Sequence, residues 1–130
     1  MSRQSPVVLI ADDNADIRAV LGVLLRGSGY GTVIADNGEQ AVSLAAETLP
    51  DLVLIDMAMP KMDGLAAARS IRRIGGLEKV PIVGCSAYEP EAEDLLLGPG
   101  APLDAFLRKP TDFGELLSVI ASLTGTPTGR

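Results

Sequence analysis

Short apolar runs alternate along this chain with longer segments in which apolar residues return every three or four positions. The short runs are VVLIA (7–11), TVIA (32–35), LVLI (52–55), IVGC (82–85) and AFLR (105–108). Each is too short for a helix and too continuously apolar for a strand with one wet face. Each therefore reads as a strand covered on both sides. Helical segments lie between them. Asn14 to about Arg26 puts Ile17, Val20, Leu21 and Leu24 on one predicted face, and glycines 27, 29 and 31 close it in a turn. Asn37 is placed to cap a helix running to Leu49, with Ala41, Leu44 and Ala45 inward, and Pro50 ends it. A third helix spans about Gly64 to Ile74, with Ala67, Ile71 and Ile74 on one face. EAEDLLL (91–97) is a short helix at best, because Gly98-Pro99-Gly100 and Pro102 break it. Thr111 or Asp112 starts a last helix that turns Phe113, Leu116, Leu117 and Ile120 inward.

Five β–α units with apolar strands predict an α/β fold, a parallel sheet doubly wound with helices on both faces. Of the few topologies left, the five-stranded doubly wound order 2-1-3-4-5 is the one expected. Residues 1–124 are expected to form one domain, with 125–130 as a flexible tail.

In such a sheet the strands all point one way, and ligands sit beyond their carboxyl ends at the switch point between the first and third strands. The polar residues at those ends are Asp12 and Asp13, Asp56, Ser86 and Lys109. Any one of these aspartates alone would serve as a cap or a turn residue. Together they put three carboxylates in one crevice. Two unit charges ~4 Å apart cost on the order of 4 kcal/mol at an effective dielectric of ~20. The cluster calls for a cation, and ligands that are all oxygen select a hard one, Mg²⁺ or Ca²⁺, with Mg²⁺ the better match to few carboxylates and open positions.

Composition narrows the chemistry. The chain has 130 residues and a net charge of −6, with no basic cluster beyond Arg72-Arg73 and Arg108-Lys109, which argues against a nucleic-acid partner. It contains no histidine, which removes Ser-His-Asp catalysis and His-ligated zinc. No leader sequence or membrane-length apolar run is visible, and the single Cys85 suits a reducing compartment, so a cytoplasmic protein is expected.

ADDN (11–14), DMAMPKMDG (56–64), SA (86–87) and KP (109–110), in this order across residues 7–124, resemble the receiver domain of two-component response regulators, a flavodoxin-like fold. The resemblance implies roles. Asp56 is the phosphoacceptor. Asp13, Asp56 and the Ala58 backbone carbonyl bind Mg²⁺, with Asp12 reaching it directly or through water. Lys109 pairs with the phosphate, and Ser86 gives it a hydroxyl hydrogen bond. Pro110 follows a cis peptide. Phe106 is the aromatic switch that fills the volume Ser86 vacates. Ala58 and Tyr88 stand where the family tunes phosphoryl lifetime, and Ala58, unable to orient a water, implies slow self-hydrolysis. The implied partners are a sensor histidine kinase or a histidine phosphotransfer protein, and a downstream target. The implied activity is a phosphorylation-switched signalling module and not an enzyme, acting through partner binding or an onward relay. The module is expected to stand alone, as a monomer or weak dimer, with no output domain after residue 124. The broken 91–97 segment puts family-style pairing through that face in doubt, and one of Leu95, Leu96 and Leu97 is left for a partner or for packing under the 98–104 loop.

Two other functions compete. A Mg²⁺-dependent phosphatase or phosphotransferase on small molecules needs a substrate pocket, which so short a chain is not expected to build. A flavin carrier of the same topology needs a phosphate-cradling first loop, and ADDN would repel a phosphate.

Overall fold

The computed structural model of the chain describes residues 5–59, 61–86, 101–109 and 112–124. Five strands form one sheet: β1 (Val7–Ala11), β2 (Gly31–Ala35), β3 (Leu52–Asp56), β4 (Ile82–Ser86) and β5 (Ala105–Arg108). All pairs are parallel and the order is β2-β1-β3-β4-β5, as expected. The helices are α1 (Ala15–Gly27), α2 (Gly38–Thr48), α3 (Gly64–Arg72) and α4 (Phe113–Thr124).

Side chains alternate across each strand, so the sheet has two cores. Leu9, Val53, Ile55 and Ile82 pack on α2 and α3 through Ala41, Ala45, Ala67 and Ile71. Val8, Ile10, Leu52, Leu54 and Val83 pack on α1 and α4 through Leu25, Leu116 and Ile120. Every residue of the central strand β3 is buried. Burial of each such aliphatic side chain is worth ~1.5–3 kcal/mol, and this strand carries its burial up to Asp56.

Short polar side chains start the helices. Asn14 Oδ1 accepts from Ile17 N–H at 3.0 Å, Asn37 Oδ1 from Gln40 N–H at 2.8 Å and Asp63 Oδ1 from Ala66 N–H at 2.8 Å. Asp112 Oδ2 accepts from Glu115 N–H at 3.0 Å, one turn into α4. Each bond satisfies a donor that the first turn leaves open.

Two expectations change. The predicted inward face of α1 is turned: Gly22 and Leu25 are buried, whereas Val20 is 56% exposed and Leu24 38%. The helix is apolar on more than one stripe, so its pattern fits two rotations, and the sheet takes the line through Leu21 and Leu25. Helix α3 stops at Arg72 and not at Ile74, which lies in the following turn, donates its N–H to Ile71 at 3.0 Å and still packs on the core. The 91–97 segment, Leu95 to Leu97, Tyr88, Pro110, Thr111 and the tail from 125 lie outside the described residues.

Arg72 explains how β5 is held in place. Its guanidinium donates to the carbonyls of Pro102 (3.1 Å), Glu78 (3.2 Å) and Val80 (2.7 Å), and pairs with Asp104 Oδ2 at 2.7 Å. Asp104 Oδ2 also accepts from Ile82 N–H at 2.8 Å. One side chain thereby ties the end of α3 to the approaches of β4 and β5.

Candidate functional site

Three described polar or charged residues are buried, Asp12, Asp56 and Ser86, and all three stand at carboxyl ends of strands. The sheet register makes this possible. Ala11 pairs with Ile55, so the residue after each, Asp12 and Asp56, projects from neighbouring strands at one level. Both continue the face of Ile10 and Leu54, which α1 and α4 cover.

Lys109 reaches this pair from just beyond β5. Its Nζ donates to Asp12 Oδ2 at 2.7 Å and to Asp56 Oδ2 at 3.1 Å. The other oxygens are held by backbone: Asp12 Oδ1 accepts from Asn14 N–H at 2.9 Å, and Asp56 Oδ1 from Ala58 N–H at 3.0 Å. Asp13 is exposed beside them, and one oxygen from each of Asp12, Asp13 and Asp56 lies within 4.8 Å of the others. Among the described residues, one ammonium bonds two of the three clustered carboxylates. The remaining negative charge and an all-oxygen donor set fit a hard divalent cation.

Burial raises the carboxyl pKa of Asp56 above its ordinary value. The Ala58 N–H and the Lys109 ammonium pull it back, and the Asp12 charge adds to the rise. For Lys109, burial pushes the ammonium pKa down, but the hydrogen bonds and charges of Asp12 and Asp56 outweigh it, and the net shift is upward. Lys109 is therefore fully charged at neutral pH. Burial pushes the Cys85 thiol up to about 12, so it stays protonated and is no nucleophile.

The structure gathers Asp12, Asp13, Asp56 and Lys109. Ser86 stands at the same rim, with its carbonyl accepting from Lys109 N–H at 2.8 Å, and alternation puts its side chain on the opposite face from Cys85. Ala58 is exposed next to Asp56. Phe106 is apart from the carboxylates, half-buried against the α2 and α3 core.

Two contributors, Arg18 and Gly38, are absent from the sequence reading, and a third, Gly64, enters it only as a helix start. Arg18 donates to the Asp12 carbonyl at 2.8 Å and pins the β1–α1 loop. A Cβ on Gly64 would lie 2.5 Å from the Asp56 carbonyl oxygen, so α3 starts against the backbone of Asp56 itself. A Cβ on Gly38 would collide with the Met62 carbonyl oxygen, so α2 starts against the loop that follows Asp56. The Asp-Gly and Asn-Gly pairs at 63–64 and 37–38 announce turns, but only the fold shows what they press on.

A cavity does adjoin the site, although not one built by an inserted cap. A cavity of about 470 Å³ runs between α1 and α4, lined by Ile17, Leu21, Leu54 and Leu116, with Asp56 and Lys109 at one end. Its walls are mostly apolar, and the charged residues that line it besides Asp56 and Lys109 are the carboxylates Asp12 and Asp16, which would repel a phosphate ester.

The family model of the response regulator receiver domain matches residues 8–121. The chain belongs to this family. The receiver domain is 35% identical over 111 residues to the DNA-binding response regulator MtrA of Mycolicibacterium paratuberculosis, an alignment covering 85% of this chain and 48% of that protein. The chain thus spans about half the length of that regulator. Among solved structures it resembles the chemotaxis protein CheY4 of Vibrio cholerae, with a TM-score of 0.83 at 25% identity over 91% of this chain and 98% of that one. It also resembles the receiver domain of the sensor histidine kinase PA1611 from Pseudomonas aeruginosa, with a TM-score of 0.82 at 28% identity over 92% and 98%. That structure has a magnesium ion coordinated in its active-site cleft. Among the described residues of the present receiver domain, no helix is long and apolar enough to cross a membrane.

Proposed function

We propose that this receiver domain accepts a phosphoryl group on Asp56 from the phosphohistidine of a sensor kinase or histidine phosphotransfer protein. The observation that carries the reading is the placement of Asp56: a buried carboxylate, one oxygen held by backbone and the other by an ammonium that it shares with Asp12. Phosphoryl transfer asks for positioning and charge neutralisation more than for acid–base chemistry. A chain without histidine meets that demand. An Asp56 oxygen attacks phosphorus, the P–N bond breaks, and its electron pair returns to the donor imidazole. The Lys109 ammonium lies within hydrogen-bond reach of the attacking carboxylate and stabilises charge on the incoming oxygens.

Mg²⁺ belongs to the same proposal. Asp13, Asp56 and the Ala58 carbonyl would hold it, with Asp12 directly or through water, and the magnesium in the PA1611 receiver supports the choice. When bound, it neutralises negative charge on the transferring oxygens. Asp13 is exposed beside the two buried carboxylates, which leaves its oxygens open to a metal.

The phosphoform signals by repacking. Ser86 donates to the new phosphate, and Phe106, on the same sheet face by alternation, follows into the space. The output is binding of a target protein or onward relay, from a single domain over 1–124. Ala58 offers no side chain to orient an attacking water, so the phosphoform is long-lived.

Intact mass after incubation with acetyl phosphate and Mg²⁺ tests the assignment. The expected result is one added phosphoryl group that does not form when Mg²⁺ is chelated beforehand or in Asp56→Asn. An adduct that persists in Asp56→Asn would contradict it, as would none in the wild type.

A further inference from the structure

Gly84 lies at the middle of β4, with Ile55 of β3 and Phe106 of β5 as its register partners. A Cβ added there would stand 2.8 Å from Leu103 Cδ1 and 2.9 Å from Met57 Sδ. The volume that a side chain would occupy is therefore already filled from both sides. Leu103 enters from the segment that leads into β5. Met57 enters from the residue that follows Asp56. Met57, Leu103 and Phe106 all pack into the one core under α2 and α3. The Met57 backbone is fixed as well, since its N–H donates to the Cys85 carbonyl at 2.9 Å. Only its side chain is left to move, and methionine repacks easily because it is unbranched and has three rotatable bonds.

We propose that Met57, seated in the slot left by Gly84, is the packing link through which phosphorylation of Asp56 reaches Phe106. The inference rests on Asp56 being the acceptor and on Ser86 being drawn to the phosphate. Ser86 follows Gly84 by two residues and so shares its face. When its hydroxyl turns away, the vacated volume borders a slot that is full. Interiors are close-packed, so an inward Phe106 ring requires another group to give way. Of the two occupants, Met57 is the one covalently next to the modified residue. Met57 is a positioning residue here: it touches neither phosphate nor metal, and its thioether exchanges place with the ring.

Methyl NMR on methionine-labelled protein tests the link, because the chain holds only four methionines and Met57→Leu assigns the signal. Acetyl phosphate and Mg²⁺ should displace the Met57 methyl resonance by more than its linewidth, as the aromatic ring changes its distance from the methyl group. In phosphorylated Phe106→Leu, which has no ring, most of that displacement should vanish. In Gly84→Ala the added methyl crowds both Leu103 and Met57, so the resting Met57 signal should already be displaced from its wild-type position, and an unmoved signal would overturn the link. A mass-verified phosphoform with an unmoved Met57 signal would overturn the link and leave the acceptor assignment standing. So would a displacement that is equal in Phe106→Leu, since phosphoryl charge alone would then explain it. No phosphoryl adduct at all would overturn both.

Discussion

At the scale of single residues, the site is a balance between burial and one ammonium. Asp56 is buried and its carboxyl pKa is raised by that burial, so its charge costs folding free energy. The sign follows from linkage. A folded pKa above the ordinary value of 3.8 means that the protonated form suits the fold, and stability is lost as pH rises through the folded pKa. Asp56→Asn removes that cost. Chemical denaturation should find the variant more stable than the wild type at neutral pH, and the gain should shrink as pH falls toward 3.8. A gain that grew in acid would refute the desolvation account. Lys109 works in the other direction, holding two carboxylates in register. Lys109→Met keeps the stem and loses the charge, and the initial rate of phosphorylation by acetyl phosphate should fall by roughly 100-fold, the size expected for losing one preorganised charge-stabilising group. A rate within a factor of two of the wild type would remove Lys109 from the chemistry.

At the scale of elements, the site depends on how closely helix starts approach the loop after β3. Gly38→Ala would drive a methyl group into the Met62 backbone, which has no rotamer by which to escape. The expected cost is ~1–3 kcal/mol in urea unfolding, with slower phosphorylation because the loop carrying Ala58 must shift. An unaffected variant would mean that the loop is free to yield. The same elements show what the sequence made legible. The strands were, because four or five consecutive apolar residues fit nothing else at that length. The helix starts were to within a residue or two, although only Asn37 reads as a cap and the capping by Asn14 and Asp63 appears in the structure. The gathering of Asp12, Asp56 and Lys109 was, because a parallel sheet must put strand ends side by side. The facing of α1 was not. Ile17, Val20, Leu21, Val23, Leu24 and Leu25 cover too much of its circumference for periodicity to choose a side. Arg18, Gly38 and the Arg72–Asp104 clamp were not legible either, because their roles lie in approaches across long stretches of chain.

At the scale of the molecule, the domain carries a net charge of −6 and concentrates part of it at one end of the sheet. A divalent cation that binds only the folded form stabilises it by mass action, about 1.4 kcal/mol at a concentration ten times the dissociation constant. For a domain of this size that raises the melting temperature by roughly 4 °C. Thermal scans with Mg²⁺ should show the rise, and Asp13→Asn should lose most of it without losing the fold. A melting temperature indifferent to Mg²⁺ would leave the carboxylates without their proposed occupant.

The central claim is that one carboxylate among three neighbours receives the phosphoryl group. Borohydride reduces an aspartyl phosphate to homoserine, which marks the modified position permanently. After acetyl phosphate and Mg²⁺ treatment, reduction and peptide mapping, the converted residue should be Asp56 alone. Conversion at Asp12 or Asp13, or none in protein whose mass shows an added phosphoryl group, would contradict the account.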